Sequence, residues 1–433
     1  MNKTIIKMIT VFMILLMGGG QSALAAEGMQ GESPITFSGG QTENHFPDEL
    51  TLKITAESSA GEIVSATLYY YFRGSKSVTR QIVEFEPGAK VELSFTYITR
   101  KITIPPSSLI NYYWEASDSA GNLLRSEEYQ VFYDDLRFDW NILEDENLAV
   151  WWHDRPQDFG ETVYTIAQQA FAEQHDVFQA ELDFQIRIII YNNFDEFATW
   201  HTYVDEFVGG EAYSDDGLTV QIVPESTSYE HWLNDVIPHE ISHLYFYQVT
   251  YNPMVEVPHW LNEGVAQYNE NTDNSESLRN AKVVIGNGGL IPLWSLTGGF
   301  GYDETKFRFA YDEAISATVY IVETYGEEGL AKLMAAYKNG KSGDAAFEHA
   351  FGRNILEFQE DWLVWMGVSP SMYPTPTAQP ALVWPTAPSY STPSSATPPP
   401  TAQESPGLFC LPLGGFIMAV MGVGVVGYSR KDR

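Results

Sequence analysis

The chain has 433 residues, a single Cys and a formal net charge of −33, with a sequence pI near 4.4. So acidic a surface repels phosphate groups, which argues against nucleic acid as a partner. The single Cys, Cys410, excludes disulfides within the chain, so packed cores or bound metal must stabilise the fold. Once both ends are set aside, the length fits two domains.

Residues 1–25 have the features of a secretory signal peptide. Lys3 and Lys7 precede an apolar run over residues 8–17, and the segment ends in small residues at Ala25. We expect cleavage after Ala25 and export of the mature chain. No Cys lies near this position, so lipidation of the bacterial lipoprotein kind is not expected.

Residues 27–138 are predicted to form an all-β domain. Apolar and polar residues alternate in short segments that are separated by turn formers, at residues 50–54, 63–72, 81–85, 91–97, 112–116 and 129–133. This spacing predicts an antiparallel sandwich of the immunoglobulin or fibronectin kind. We expect its many tyrosines to belong to the sheets and the core rather than to a carbohydrate platform.

Residues 139–368 are predicted to form an α+β domain. A helix is predicted over residues 162–182, a buried strand over 184–191, a second helix over 194–203 and an alternating strand over 217–223. Residues 227–230 have the pattern of a capping box, and a helix over residues 232–248 follows, which Pro238 either starts or kinks. Beyond residue 263 we expect mainly helix, over residues 278–325, 329–337 and 355–366.

The helix over residues 232–248 contains His239-Glu240-Ile241-Ser242-His243. Residues four apart lie on one face of a helix, so both imidazoles can reach one metal ion, and Glu263 on a second helix can be the third ligand. Three ligands leave a position for water, which Zn²⁺ acidifies to a pKa of about 7 and Glu240 can deprotonate. The alternative is a pair of ordinary core histidines.

These motifs resemble those of the peptidase MA clan, the gluzincins. The likeness includes Glu263 within Trp260-Leu261-Asn262-Glu263-Gly264 and extends over residues 145–367. It implies a zinc metallopeptidase fold with a small mixed sheet plus helices, of the kind found in peptidase-MA-like domains of bacterial surface proteins, with residues 217–223 as the edge strand of the cleft. Extended substrates bind such an edge by adding a strand.

The chain departs from the aminopeptidase N pattern in two places. The spacing between His243 and Glu263 is one residue longer than usual, and the G-x-M-E-N strand that grips a substrate's free amine is absent. Gly209-Gly210-Glu211-Ala212-Tyr213 stands in the corresponding place without the Met-Glu-Asn core. The resemblance therefore supports a zinc site more strongly than it supports exopeptidase specificity.

A catalytic tyrosine and three further histidines complete the set of candidates. By its type and order, Tyr311 resembles the tyrosine that stabilises the oxyanion in related enzymes, and the alternative is a core tyrosine on a helix. His201, His231 and His259 are expected at the surface or at the rim of the cleft. A fourth protein ligand would close the site.

The C-terminal part of the chain is predicted to anchor the protein. Residues 369–407 are rich in Pro, Thr, Ser and Ala, and form either an extended stalk or a flexible tether. Residues 408–428 are apolar, uncharged and long enough to span a bilayer, and the basic residues 429–433 favour the cytoplasmic side. The segment is either a retained transmembrane anchor or a sorting signal that processing removes.

Two hypotheses of function follow from these observations. The first is a cell-surface zinc metallopeptidase that cleaves peptides or proteins, with Glu240 and Tyr311 as catalytic residues and His239, His243 and Glu263 as zinc ligands. The second is a surface adhesion or binding protein in which the β-sandwich does the work and the metal site is degenerate or structural. The intact Glu240 favours the first hypothesis, because metal binding alone does not require that residue.

Overall fold

The computed structural model describes residues 33–373 except residues 76, 205–208, 225–228 and 302, and it does not describe the side chains of residues 229–231. The predicted signal peptide, the linker over 369–407 beyond residue 373, the predicted anchor, the basic tail and most of the predicted capping box lie outside the described residues. Within the described part of the chain, no helix is both long and apolar enough to span a membrane.

Two antiparallel sheets make up the N-terminal β region, residues 33–138. One has the strand order β1-β2-β5 and the other β4-β3-β6-β7, with β8 also paired to β6. Side chains of both sheets, including Leu52, Leu68 and Trp114, are buried in one hydrophobic cluster. The strands are β1 Ile35–His45, β2 Glu49–Ser58, β3 Ile63–Phe72, β4 Thr79–Val83, β5 Lys90–Ile98, β6 Ser108–Asp118, β7 Leu123–Arg125 and β8 Tyr129–Tyr133.

All six strands predicted in this region are present, and β3 and β8 have the predicted bounds. Strands β1 and β7 were not predicted. In β1 the burial pattern shows mostly exposed side chains after Ile35, so the strand lacks the alternation that marks a half-buried sheet. It forms through its ladder to β2.

The second half of the chain combines a five-stranded mixed sheet with helices. The sheet has the order β12-β13-β11-β10-β9, in which β10, β11 and β13 are parallel and the two outer strands are antiparallel to their neighbours. Its strands are β9 Asn141–Glu144, β10 Leu148–Trp152, β11 Ile186–Tyr191, β12 Gly210–Tyr213 and β13 Leu218–Ile222. The α+β class predicted for this region is confirmed.

Eight α-helices lie within the described residues. They are α1 Gln157–Phe178, α2 Phe194–Ala198, α3 Tyr229–Thr250, α4 His259–Tyr268, α5 Ser275–Gly286, α6 Glu304–Lys338, α7 Asp344–Phe351 and α8 Ile355–Trp365. The prediction of one helical run over residues 278–325 was wrong, because a glycine-rich segment separates α5 from α6. Helix α6 extends past the predicted end at residue 325, with a kink at Gly326, where φ is 71°.

The position predicted for the edge strand was also wrong. Strand β13 lies inside the sheet, and the four-residue strand β12 pairs along its outer side. A tight turn joins the two strands, with Gly217 at a φ of 67° and the Asp216 amide donating to the Tyr213 carbonyl at 3.0 Å. A strand of four residues is too short to show an alternation of apolar and polar side chains in the sequence. The turn at Gly217 is what lets it pair with β13.

Buried polar contacts join the N-terminal β region to this mixed sheet. Arg187 of β11 donates to the side-chain hydroxyl of Ser107 at 2.9 Å and lies 3.6 Å from Asp216. The hydroxyl of Tyr191 donates to Asp135 at 2.7 Å. A single hydrophobic cluster includes residues of both parts, so the β12–β13 turn packs directly against the N-terminal region.

Candidate metal centre

Helix α3 presents His239 and His243 one turn apart, with ring centroids 4.8 Å apart. The helix continues through Pro238, which has no N–H to donate to the carbonyl of Asn234. That carbonyl instead accepts from the side-chain amide of Asn271 at 3.3 Å. The predicted helix is therefore confirmed, and of the two roles considered for Pro238, starting the helix is ruled out.

Helix α4 carries Glu263 towards the two histidines. The Oε2 atom of Glu263 lies 3.5 Å from Nε2 of His239 and 3.9 Å from Nε2 of His243. The next residue, Gly264, allows helix α6 to approach closely, since a Cβ atom there would lie 2.4 Å from the Ala314 carbonyl oxygen. Tyr311, one turn before Ala314 on α6, is thereby brought to the same site.

The three side chains fit a zinc ion. Their ligand atoms all lie within 4.8 Å of one another, and a tetrahedral site with bonds of about 2.1 Å needs separations of about 3.4 Å. All three residues are buried. Neither Nε2 atom has a hydrogen-bond partner among the described residues, so each can bind a metal when its ring is neutral.

Two partners of the histidines were missed by the sequence analysis. Nδ1 of His239 donates to the carboxylate of Glu270 at 2.6 Å, and Nδ1 of His243 donates to the side-chain carbonyl of Asn262 at 3.0 Å. These bonds place the proton of each neutral ring on Nδ1 and leave Nε2 for the metal. Glu270 lies just beyond the end of α4 at Tyr268, seven residues after Glu263, so continuing the helical period past Glu263 could have found it.

The pKa values of the two candidate ligand histidines are shifted in opposite directions. Burial lowers the pKa of His243 to about 4, so its imidazole is neutral at neutral pH. Burial also opposes a charge on His239, but Glu263 and Glu270 outweigh it and raise its pKa to about 10. Burial disfavours the charged form of Glu263, yet the neighbouring histidines, led by His243, lower its pKa to about 2.

Glu240 is fully buried beside the ligands. Neither of its carboxylate oxygens has a hydrogen-bond partner among the described residues. Burial raises its pKa well above the usual value for Glu; His239 opposes this shift, and the carboxylates of Glu263 and Glu211 add to it. A carboxylate with a raised pKa and no partner can accept a proton from water.

Tyr311 and His259 both contact the Glu263 carboxylate. Tyr311 is buried, and its pKa is raised well above the usual value by burial, by the charge of Glu263 and by a hydrogen bond to that carboxylate. Nε2 of His259 is 3.6 Å from Oε1 of Glu263. The His259 side chain is 11% exposed.

His201 lies in a different place from the one expected. Its side chain is 1% exposed, and its Nε2 atom lies 2.9 Å from Oε2 of Glu211 on the edge strand β12. Its Nδ1 atom is 3.0 Å from the Phe197 carbonyl, and the hydroxyl of Tyr213 donates to the same oxygen of Glu211. The expectation of a surface or rim histidine is therefore wrong for His201, which is part of a buried cluster with Glu211 and Tyr213. The side chain of His231 lies outside the described part of the chain.

Residues 166–368 match the model of the Peptidase MA superfamily. The match supports a distant gluzincin-like peptidase MA domain in this region. The match covers the whole of α3, α4 and α6, which carry the candidate ligands, Glu240 and Tyr311. No curated protein matches the chain.

Solved structures give weaker similarities. An aminopeptidase N family protein from Idiomarina loihiensis is 9% identical, with 74% of this chain and 76% of that chain covered and a TM-score of 0.39. An M1 zinc metallopeptidase from Deinococcus radiodurans is 11% identical, with 73% and 89% covered and a TM-score of 0.33. For a purple acid phosphatase from yellow lupin seeds the values are 8% identity, 37% and 30% coverage and a TM-score of 0.20. The chain thus spans less than a third of the lupin protein. Because these TM-scores are low, the assignment rests on the family match and the site geometry.

Proposed function

We propose that this protein is a zinc-dependent peptidase with His239, His243 and Glu263 as the zinc ligands. The observation that carries the proposal is the orientation of the two imidazoles. Each Nδ1 is bonded to an acceptor, and each Nε2 faces Glu263 without a hydrogen bond among the described residues. Two rings held in this way present their lone pairs to one point, as a metal site requires.

Zinc held by these residues supplies a Lewis acid that polarises a substrate carbonyl and acidifies water. Glu240 accepts the proton of the attacking water molecule and passes it to the leaving amine. Tyr311, beside Glu263, donates its phenolic hydrogen to the oxygen of the tetrahedral intermediate once substrate is bound. The burial of the whole group excludes bulk water, which strengthens each of these interactions.

We propose a peptidase that does not require a free substrate N-terminus. Glu211 stands where the resemblance places an amine-binding glutamate, but it is fully buried, and one of its two oxygens, Oε2, is already engaged by His201 and Tyr213. This supports cleavage within peptides over trimming from their ends. Peptides acetylated at the N-terminus should be cleaved at rates comparable to those of free peptides. Cleavage of free peptides alone would contradict this specificity and would implicate Glu211.

The proposal includes a cell-surface location. In it, the signal peptide directs export, residues 27–138 form an immunoglobulin- or fibronectin-like sandwich, residues 139–368 form the peptidase domain, and residues 408–428 anchor the chain with that domain outside the cell. Two facing antiparallel sheets with a shared core support the sandwich. Protease treatment of intact cells should release a large fragment. Resistance until the cells are lysed would contradict the arrangement.

Replacement of Glu240 by Gln tests the enzymatic role. Glu240→Gln removes the base without removing a proposed ligand, so the purified protein should keep its zinc while hydrolysis falls by at least about 100-fold. His243→Ala is the matched comparison and should lose the metal as well. Equal activity of Glu240→Gln and wild type on every peptide cleaved would refute the enzyme and favour the adhesion hypothesis.

A further inference from the structure

The two carboxylate oxygens of Glu263 face different imidazole rings. Its Oε2 atom faces Nε2 of His239 and of His243, whereas its Oε1 atom faces Nε2 of His259 at 3.6 Å. His259 lies one turn before Glu263 on α4. It is not part of the group whose ligand atoms lie close enough together to share one metal ion. The carboxylate therefore has a metal-facing oxygen and a second oxygen that faces away from the ligands.

The second oxygen of such a carboxylate needs a partner. Glu263 is fully buried, and a buried carboxylate oxygen without a donor is costly. A distance of 3.6 Å is within ion-pair range but beyond a hydrogen bond, and a movement of about 0.5 Å closes the gap. Tyr311, from helix α6, also hydrogen-bonds to this carboxylate. His259 is the imidazole that faces Oε1, and it lies four residues before Glu263 on the same helix.

The surroundings of His259 hold its ring in this position. Its backbone N–H donates to the Thr297 carbonyl at 2.8 Å, and its ring packs edge-on against Phe300 with centroids 4.7 Å apart. Pro258 precedes it at the N-cap of α4. The segment after α5 thus fixes His259 from outside the helix, and the helix sets its distance from Glu263.

We propose that His259 is a positioning residue that holds Oε1 of Glu263 and so makes this glutamate a one-oxygen ligand. The inference rests on the proposed zinc site. A glutamate that is free to turn can bind through both oxygens and occupy the coordination position that water needs. With Oε1 held by His259, that position stays open. The sequence gives no sign of this role, since His259 belongs to neither motif.

Two substitutions separate the donor from the ring. His259→Phe keeps an aromatic ring against Phe300 but removes the N–H group. His259→Gln keeps an N–H donor on a side chain of similar reach. The full-length protein and both variants are loaded with Co²⁺, whose visible absorption is stronger for four ligands than for five. Zinc affinity is measured in parallel by competition with a chromophoric chelator.

We expect His259→Phe to show the weaker absorption of a five-coordinate ion and about tenfold weaker zinc binding, as is typical when an outer partner of a metal ligand is lost. His259→Gln should restore both signals towards wild type. Wild-type spectra and affinity in His259→Phe would overturn the inference and leave the zinc site standing. Loss of all bound metal in His259→Phe would also overturn it, because His259 would then be a ligand. A wild-type protein that binds no metal would overturn the proposed function itself.

Discussion

Replacing Glu270 with Ala removes the carboxylate that accepts the Nδ1 proton of His239 at 2.6 Å. That bond is short and its acceptor is charged, which puts it among the stronger hydrogen bonds in proteins. Loss of such an outer partner typically weakens metal binding 10- to 100-fold, or about 1.4 to 2.8 kcal/mol. Glu270→Gln keeps an acceptor without the charge and should have a smaller effect than Glu270→Ala.

The same carboxylate also makes zinc compete with a proton. Glu263 and Glu270 raise the pKa of His239 to about 10, and a ligand histidine must be neutral to bind a metal. Below pH 10, wild-type zinc affinity should therefore fall about tenfold for each unit by which the pH decreases. In Glu270→Ala the pKa of His239 is lower, so its affinity should fall less steeply. The deficit of the variant should consequently be largest at high pH.

A competition titration with a chromophoric chelator at several pH values measures both effects. Glu276→Gln is the matched control, because Glu276 is an exposed glutamate that forms an ion pair with Arg279 away from the histidines. We expect this control to bind zinc like wild type at every pH. If Glu270→Ala bound zinc as tightly as wild type at high pH, His239 would not depend on Glu270 for its orientation, and the reasoning would be refuted.

Two further substitutions test packing and charge near the site. In Gly264→Ala the new Cβ would lie 2.3 Å from the Thr318 hydroxyl. Overpacking of this kind destabilises the fold by about 1 to 3 kcal/mol and should lower the midpoint of thermal unfolding. In the control Gly286→Ala the new Cβ meets open space, so the midpoint should not change. Burial and Asp216 raise the pKa of Asp215 from 3.8 to about 6, so the folded state loses stability as pH rises from about 4 to 6. Asp215→Asn should remove this loss, which is worth at most about 3 kcal/mol. An unchanged pH dependence of the unfolding free energy would contradict the assignment.

The histidine pair of the proposed metal site could be predicted from sequence because its geometry is local. His239 and His243 share a face of α3 because residues four apart do so in any helix. The apolar residues at helical spacing around them indicate that helix in the sequence. The edge strand β12 could not be predicted. It has four residues, and what places it is a turn at Gly217 and a ladder to β13, neither of which leaves a periodic signal.

The partners of the ligands depend on contacts between segments that are distant in the chain. Glu270 meets His239 because α4 packs against α3, and the Ser242 hydroxyl accepts from the side-chain amide of Asn269 at 2.9 Å in the same contact. No pattern within α3 specifies that arrangement. The spacing from Glu263 to Glu270 makes Glu270 a candidate, but only the packing of the two helices selects it among the acidic residues of the chain.

The role of the N-terminal β region bears on the choice between an enzyme and an adhesion protein. An adhesion module needs only its own fold and a free surface. Here the buried side chain of Arg187, from the mixed sheet, bonds to Ser107 of the N-terminal region and pairs with Asp216 in the β12–β13 turn. Gly74 packs against the same turn, since a Cβ atom there would lie 2.4 Å from the Asp215 carbonyl oxygen. Because that turn sets the position of β12 at the sheet edge, the contacts favour a supporting role for the N-terminal region in the peptidase.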